Sequence, residues 1–281
     1  MESFMKVLEE AVSNSGKGKI DNDSDYEKDG LRYCGFCHTP KQALVQFPWG
    51  ERKPRVNCRC EQERADKIAL AEKEAKHREV VGDLLKECFP SRNMYHWRFD
   101  KDKGYCPDVV KYAQNYVENW KDFYTKGKGL LIYGEVGTGK TFGACCIANA
   151  LIDNEIPCKF TDFSRIANEL QDTWSKQAYL DGYDKYPLVI VDDLGIERNS
   201  DYMNEVVYNF IQHRYCSNLP LIVTSNLTQE ELTKSQEVKN QRIYTRIFEM
   251  CVPIKLTSKG FRRQITANNY EEDMRKLRGE I

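Results

Sequence analysis

The chain has 281 residues, 41% of them hydrophobic and 30% charged, and a formal net charge of −1. That length admits one full α/β domain plus something smaller, and the composition excludes a disordered or fibrous chain. No apolar stretch approaches the roughly 18 residues a membrane span needs, the N-terminus does not read as a signal peptide, and the near-zero charge leaves any nucleic-acid binding to local patches.

A cytoplasmic location is expected, with the eleven cysteines kept reduced. Residues 1–30 form an acidic N-terminal segment, partly flexible, with eight acids against four lysines. Phe4, Val7, Leu8 and Val12 fall at the spacing of a short amphipathic helix. The run Asp21 to Asp25 imitates the start of a calcium loop, but Tyr26 and Arg32 stand where that loop needs Gly and Glu, so calcium is rejected.

Residues 31–60 read as a compact module. Cys34-Gly35-Phe36-Cys37 and Cys58-Arg59-Cys60 give two thiol pairs separated by 20 residues. Four thiolates at such spacing in a reducing compartment point to structural Zn²⁺ with no open coordination position; the alternative is unligated thiols in an ordinary turn. His38 adjoins Cys37 and reads as a bystander. The module carries six Lys/Arg against one Glu, mixed with Tyr33, Phe36, Phe47 and Trp49. Basic residues among aromatics suit single-stranded DNA or a protein partner, while a module this small also needs rings for its own core. Residues 61–88 are charged and glycine-poor with a thin apolar stripe, which predicts a solvated linker helix.

From residue 89 to 265 the pattern changes. Pro107 opens a helical stretch to Tyr124, and β-rich segments then recur at Leu130–Tyr133, Cys158–Phe163, Leu188–Val191, Leu221–Thr224 and Cys251–Leu256. Helix-like stretches separate the first four, the alternation of an α/β parallel sheet flanked by helices. Outside the module, Cys88, Cys106, Cys145, Cys146, Cys158, Cys216 and Cys251 are scattered along the chain and read as small core residues. Residues 266–281 form a C-terminal tail.

The first of these strands leads into Gly134-Glu135-Val136-Gly137-Thr138-Gly139-Lys140-Thr141, a complete phosphate-binding loop, and Phe142 to Leu151 leaves it as an apolar helix. Its glycines let backbone N–H groups wrap phosphates, and the helix N-terminus favours anions. Lys140 is placed to reach the β- and γ-phosphates of ATP, and Thr141 to hold Mg²⁺. Leu188–Val191 delivers Asp192 and Asp193 at a strand end, 52 residues after Lys140. Asp192 is expected to complete the Mg²⁺ shell, and Asp193 to orient or deprotonate the attacking water. Leu221–Thr224 runs into Ser225-Asn226, where Asn226 either contacts the γ-phosphate or caps a helix over Thr228–Leu232.

Taken in order, Lys140-Thr141, Asp192 to Arg198, Arg214-Tyr215, Val223 to Thr228 and Arg242 to Ile247 resemble the DnaC/DnaI helicase-loader group of AAA+ ATPases. The phage and prophage loader-like branch of low-GC Gram-positive bacteria is the nearest likeness, over roughly residues 90–265, and to about residue 31 with the cysteine module. The resemblance implies an ATPase that loads a replicative DnaB-type helicase onto single-stranded DNA during replication, self-associates through the AAA+ domain, and lacks a full helical lid. It implies an arginine-finger role for Arg246, against a plain surface-helix arginine paired with Arg242, and helicase docking for the N-terminal module. Either Arg262 or Arg263 corresponds to the group's last arginine near the nucleotide. The alternative is an IstB-like ATPase helper of transposition acting on duplex DNA; a third reading is a nucleotide-gated adaptor with negligible hydrolysis.

Overall fold

The computed structural model describes residues 24–102, 106–195, 200–233, 238–257 and 274–280. The expectations for residues 1–23, for Arg262 and Arg263, and for most of the C-terminal tail fall outside these. The chain divides into two compact units, Met1–Arg78 and Glu79–Ile281.

The first unit is built from two short antiparallel hairpins. Strand β1 (Tyr26–Lys28) pairs with β2 (Leu31–Tyr33), and β3 (Val45–Phe47) pairs with β4 (Gly50–Arg52). The module therefore reaches back to Ser24, and residues 24–30 are part of it rather than of the acidic segment. Asp25 is the reason: its side chain is 1% exposed and holds Lys41 at 2.6 Å, a pairing that a charge count along the chain does not show. Helix α1 (Arg59–Cys88) follows. Its residues 62–79 are exposed on every side, as a polar helix with no apolar face requires.

The second unit centres on a five-stranded parallel sheet: β5 (Gly129–Gly134), β6 (Cys158–Asp162), β7 (Leu188–Leu194), β8 (Leu221–Ser225) and β9 (Cys251–Leu256), in the spatial order β6-β7-β8-β5-β9. Both faces are covered, and the period-2 alternation of the strands sorts their residues. Leu131, Tyr133, Val189, Val191 and Val223 enter one core, under α5 (Phe163–Gln171), α6 (Lys176–Asp181), α7 (Asp201–Cys216), α8 (Gln229–Thr233) and α9 (Val238–Met250). Leu130, Ile132, Leu188, Ile190 and Ile222 enter the other, under α2 (Pro107–Glu118), α3 (Trp120–Thr125) and α4 (Lys140–Ile152). Helix α4 is apolar nearly all round and correspondingly buried.

Three expectations shift in detail. The stretch from Pro107 to Tyr124 is two helices, α2 and α3, meeting at Asn119. Phe163 belongs to α5, because the Asp162 side chain caps that helix through the Arg165 N–H and ends the strand. Of the seven scattered cysteines, six are buried and Cys216, at the end of α7, is exposed. No described helix is long and apolar enough to cross a membrane.

Candidate nucleotide site and cysteine module

Strand order places the phosphate loop after β5 and the acids at the end of β7, with the end of β8 between them. Ligands in open α/β sheets sit at these carboxyl ends. The loop closes on left-handed glycines, Gly137 at φ +83° and Gly139 at φ +91°. At Gly139 a side chain is excluded for a second reason, since a Cβ there would lie 2.4 Å from the Cys106 sulfur. Thr138 Oγ1 donates to the Glu135 carbonyl at 3.0 Å, and the buried Lys140 ammonium donates to the carbonyls of Gly134 (2.9 Å) and Glu135 (2.8 Å). Val136 is exposed at the loop's crest.

From the loop a line of hydrogen bonds crosses the strand ends. Thr141 Oγ1 donates to Asp192 Oδ1 at 3.0 Å, and Thr224 Oγ1 donates to the same oxygen at 2.5 Å. The Asp193 N–H donates to Thr224 Oγ1 at 2.9 Å, and Asn226 Nδ2 donates to Asp193 Oδ1 at 3.1 Å. Burial pushes the Asp192 carboxyl above its ordinary value against the Thr224 hydroxyl, and Asp193 adds to the rise while Thr141 and Lys140 oppose it. Asp193 itself has φ +59°, a left-handed conformation that Asp tolerates better than most residues, at a cost on the order of 1 kcal/mol. An alcohol and a carboxylate meeting beside a phosphate loop form the hard-oxygen set that Mg²⁺ takes, so Thr141 and Asp192 fit that ion.

Lys140, Thr141, Asp192, Asp193 and Asn226 thus come together. Asn226 does not cap α8. Thr228 does so, in a reciprocal pairing with Glu231 (Glu231 N–H to Thr228 Oγ1, 3.3 Å; Thr228 N–H to Glu231 Oε2, 2.7 Å). Arg246 lies apart from this line. Its guanidinium rests 4.8 Å over the Tyr208 ring, in a groove of about 650 Å³ between α7 and α9 that Tyr215 and Arg242 also line. Thr224 was given no role by its sequence position; a hydroxyl near the end of a buried strand, level with an acid pair, is the signal that points to it. Arg214 belongs to the framework instead. It is fully buried and donates to the carbonyls of Tyr183, Tyr186 and Pro220 at 2.7–3.3 Å, and burial lowers its pKa to about 10.

In the first unit the four sulfurs of Cys34, Cys37, Cys58 and Cys60 all lie within 4.8 Å of one another. A tetrahedral zinc with Zn–S bonds of 2.3 Å holds its sulfurs about 3.8 Å apart, and Cys34 and Cys60 stand at 3.6 Å, so the set fits Zn²⁺. The Thr39 hydroxyl, then the Cys60 backbone, draw the Cys37 thiol down to about 5, whereas burial pushes Cys58 up to about 12. A cation among the sulfurs offsets that burial cost. His38 faces the Tyr26 hydroxyl (3.3 Å), in keeping with a bystander. Of the module's rings, Tyr33 stacks on Tyr26 and Phe47 on Trp49, but Phe36 is 82% exposed and makes no core.

Comparison with known proteins agrees with this geometry. The family model described as "IstB-like ATP binding protein" matches residues 114–268, more than half the chain. The replicative helicase loader DnaI of Bacillus subtilis is 31% identical over 161 residues, 53% of this chain and 50% of that relative, so the chain spans about half its length. The phage-like element PBSX protein XkdC of the same organism is 25% identical over 266 residues, covering 91% of this chain and 94% of the relative. A crystal structure of DnaI superposes with a TM-score of 0.50 at 26% identity, over 60% of this chain and 96% of that one. With its phosphate loop, its acid pair and its five parallel strands in AAA+ order, the chain belongs to the IstB-like family of ATP-binding proteins and is homologous to helicase loaders and to a phage-element protein.

Proposed function

We propose that the chain is an ATP-hydrolysing loader of a ring-shaped, DnaB-type replicative helicase, acting on single-stranded DNA in the bacterial cytoplasm. The observation that carries this reading is the unbroken hydrogen-bonded line from Thr141 to Asn226, in a chain whose ATPase region is similar to that of a helicase loader. Lys140 neutralises charge on the β- and γ-phosphates. Thr141 and Asp192 would hold Mg²⁺, which when bound stabilises the charge that develops on the transferred phosphoryl group. Asp193, held by Asn226, orients or deprotonates the attacking water, and Asn226 also contacts the γ-phosphate.

Arg246 is the cation one copy offers to the nucleotide of its neighbour, which makes turnover depend on assembly. Arg246→Ala is expected to keep nucleotide affinity and lose on the order of 10³-fold in assembled-state turnover. Full activity in this variant refutes the finger. The cysteine module, with Cys34, Cys37, Cys58 and Cys60 around Zn²⁺, presents Phe36 and Trp49 at its surface, which favours docking on the helicase over a mini-core role for these rings.

The match to an IstB-like family model favours a second reading, a transposition helper acting on duplex DNA. Steady-state ATP hydrolysis by the full chain alone, with single-stranded DNA and with duplex DNA separates the two, with Lys140→Ala as the blank. Stimulation by single strands supports the loader, stimulation by duplex alone the helper, and negligible turnover throughout a nucleotide-gated adaptor.

A further inference from the structure

Strands β7 and β8 do not pair evenly. Val191 faces Val223, but the next pair is Leu194 with Ser225. Three steps along β7 meet two along β8, so β7 carries one extra residue at the Asp192–Asp193 pair. Thr224 is the residue opposite that bulge. It is fully buried, and its hydroxyl fills the gap in the ladder.

The polarity of that bridge is fixed. A backbone N–H only donates, so Thr224 Oγ1 accepts from Asp193 N–H at 2.9 Å. Its single proton is then free for Asp192 Oδ1, at 2.5 Å. One hydroxyl thereby holds the side chain of the first acid and the backbone of the second, while Asp193 keeps its left-handed φ of +59°. The Asp193 carboxylate is held in turn by Asn226.

We infer that Thr224 is a positioning residue whose hydroxyl sets the geometry of the Asp192–Asp193 pair. This rests on reading Asp192 as the metal-holding acid and Asp193 as the water-orienting one. Thr224→Val keeps the shape and removes the hydroxyl, leaving the Asp193 N–H and a lone pair of Asp192 without a partner. Thr224→Ser keeps the hydroxyl and removes the methyl.

The test compares these variants in the full chain by kcat and KM, by affinity for a fluorescent ATP analogue with Mg²⁺ and with EDTA, and by thermal unfolding. Thr224→Val is expected to lower kcat on the order of 100-fold. It should also lose part of the Mg²⁺-dependent gain in affinity while its affinity in EDTA is unchanged, and Thr224→Ser should restore both. Wild-type kcat and Mg²⁺ dependence in Thr224→Val overturn the inference, as does a Thr224→Ser variant as impaired as Thr224→Val. If Thr224→Val does not fold, Thr224→Ala against Thr224→Ser poses the same question of hydroxyl present or absent. If the wild-type chain proves not to hydrolyse ATP, the hydrolysis reading fails, and the Mg²⁺-dependent affinities alone decide the role of Thr224.

Discussion

The nucleotide site and the cysteine module solve the problem of holding polar chemistry in opposite ways. Strands β5, β7 and β8 are buried along almost their whole length by aliphatic residues, and the polar groups of the site stand only where those strands end. In residues 24–58, by contrast, only Cys34, Lys41 and Cys58 are buried as whole residues, joined by the side chain of Asp25. That module has no aliphatic core at all. Its interior is thiols together with an ionic chain in which Lys41 meets Asp25 at 2.6 Å and Glu61 at 3.4 Å, and Arg55 meets Glu61 at 3.1 Å. A hydrophobic framework tolerates the loss of one polar group at its edge, whereas a module this small would depend on a metal among its thiols and on its charges.

The largest effect that tests this contrast is at the thiols. Cys58→Ser is expected to release the metal, whose apparent binding energy in zinc modules is about 10–16 kcal/mol, and to unfold residues 24–58 while sparing ATP binding. Metal analysis, limited proteolysis and nucleotide titration check it. A metal-free wild-type protein, or a lost nucleotide site in the variant, breaks the comparison.

The next effect belongs to the larger unit. Arg214→Met removes the side-chain donor to the carbonyls of Tyr183, Tyr186 and Pro220. Tyr183 keeps the Tyr186 N–H and Pro220 the Val189 N–H, but the Tyr186 carbonyl loses its donor at about 1–3 kcal/mol, so Tm should fall by several degrees with the metal retained. An unchanged Tm would show that aliphatic burial alone carries the framework.

The smallest effect is at Glu61. Burial acts to raise its pKa, but the Cys58 N–H and the charges of Lys41 and Arg55 outweigh it, leaving the carboxyl below its ordinary 4.5. A depressed folded pKa means the stability from this group is present above about pH 4.5 and is lost as pH falls through the lower folded value. Glu61→Gln should therefore weaken the module on the order of 1 kcal/mol at neutral pH, with the gap from wild type closing in acid. Chelator competition across pH measures it, and a gap independent of pH would assign the effect to packing.

The sequence carried the phosphate loop, the acid pair, all five strands within a few residues and the four thiols, because each follows from local spacing or from period-2 burial. It did not carry the reach of the module back to Asp25, nor the burial of Lys41, since a lysine reads as solvated until a partner distant in the chain is brought to it. It also passed over Thr224, whose neighbours in sequence are ordinary strand residues and whose partners lie 32 and 31 positions away.

Local chemistry by itself singled out the phosphate loop, the acid pair and the four thiols. The β-bulge that turns Asp193 into the left-handed region, the bridge from Thr224 and the placing of Arg246 against Tyr208 were decided only by tertiary structure. Each depends on strand register or helix packing between segments far apart in the chain, and no local pattern of residues encodes that.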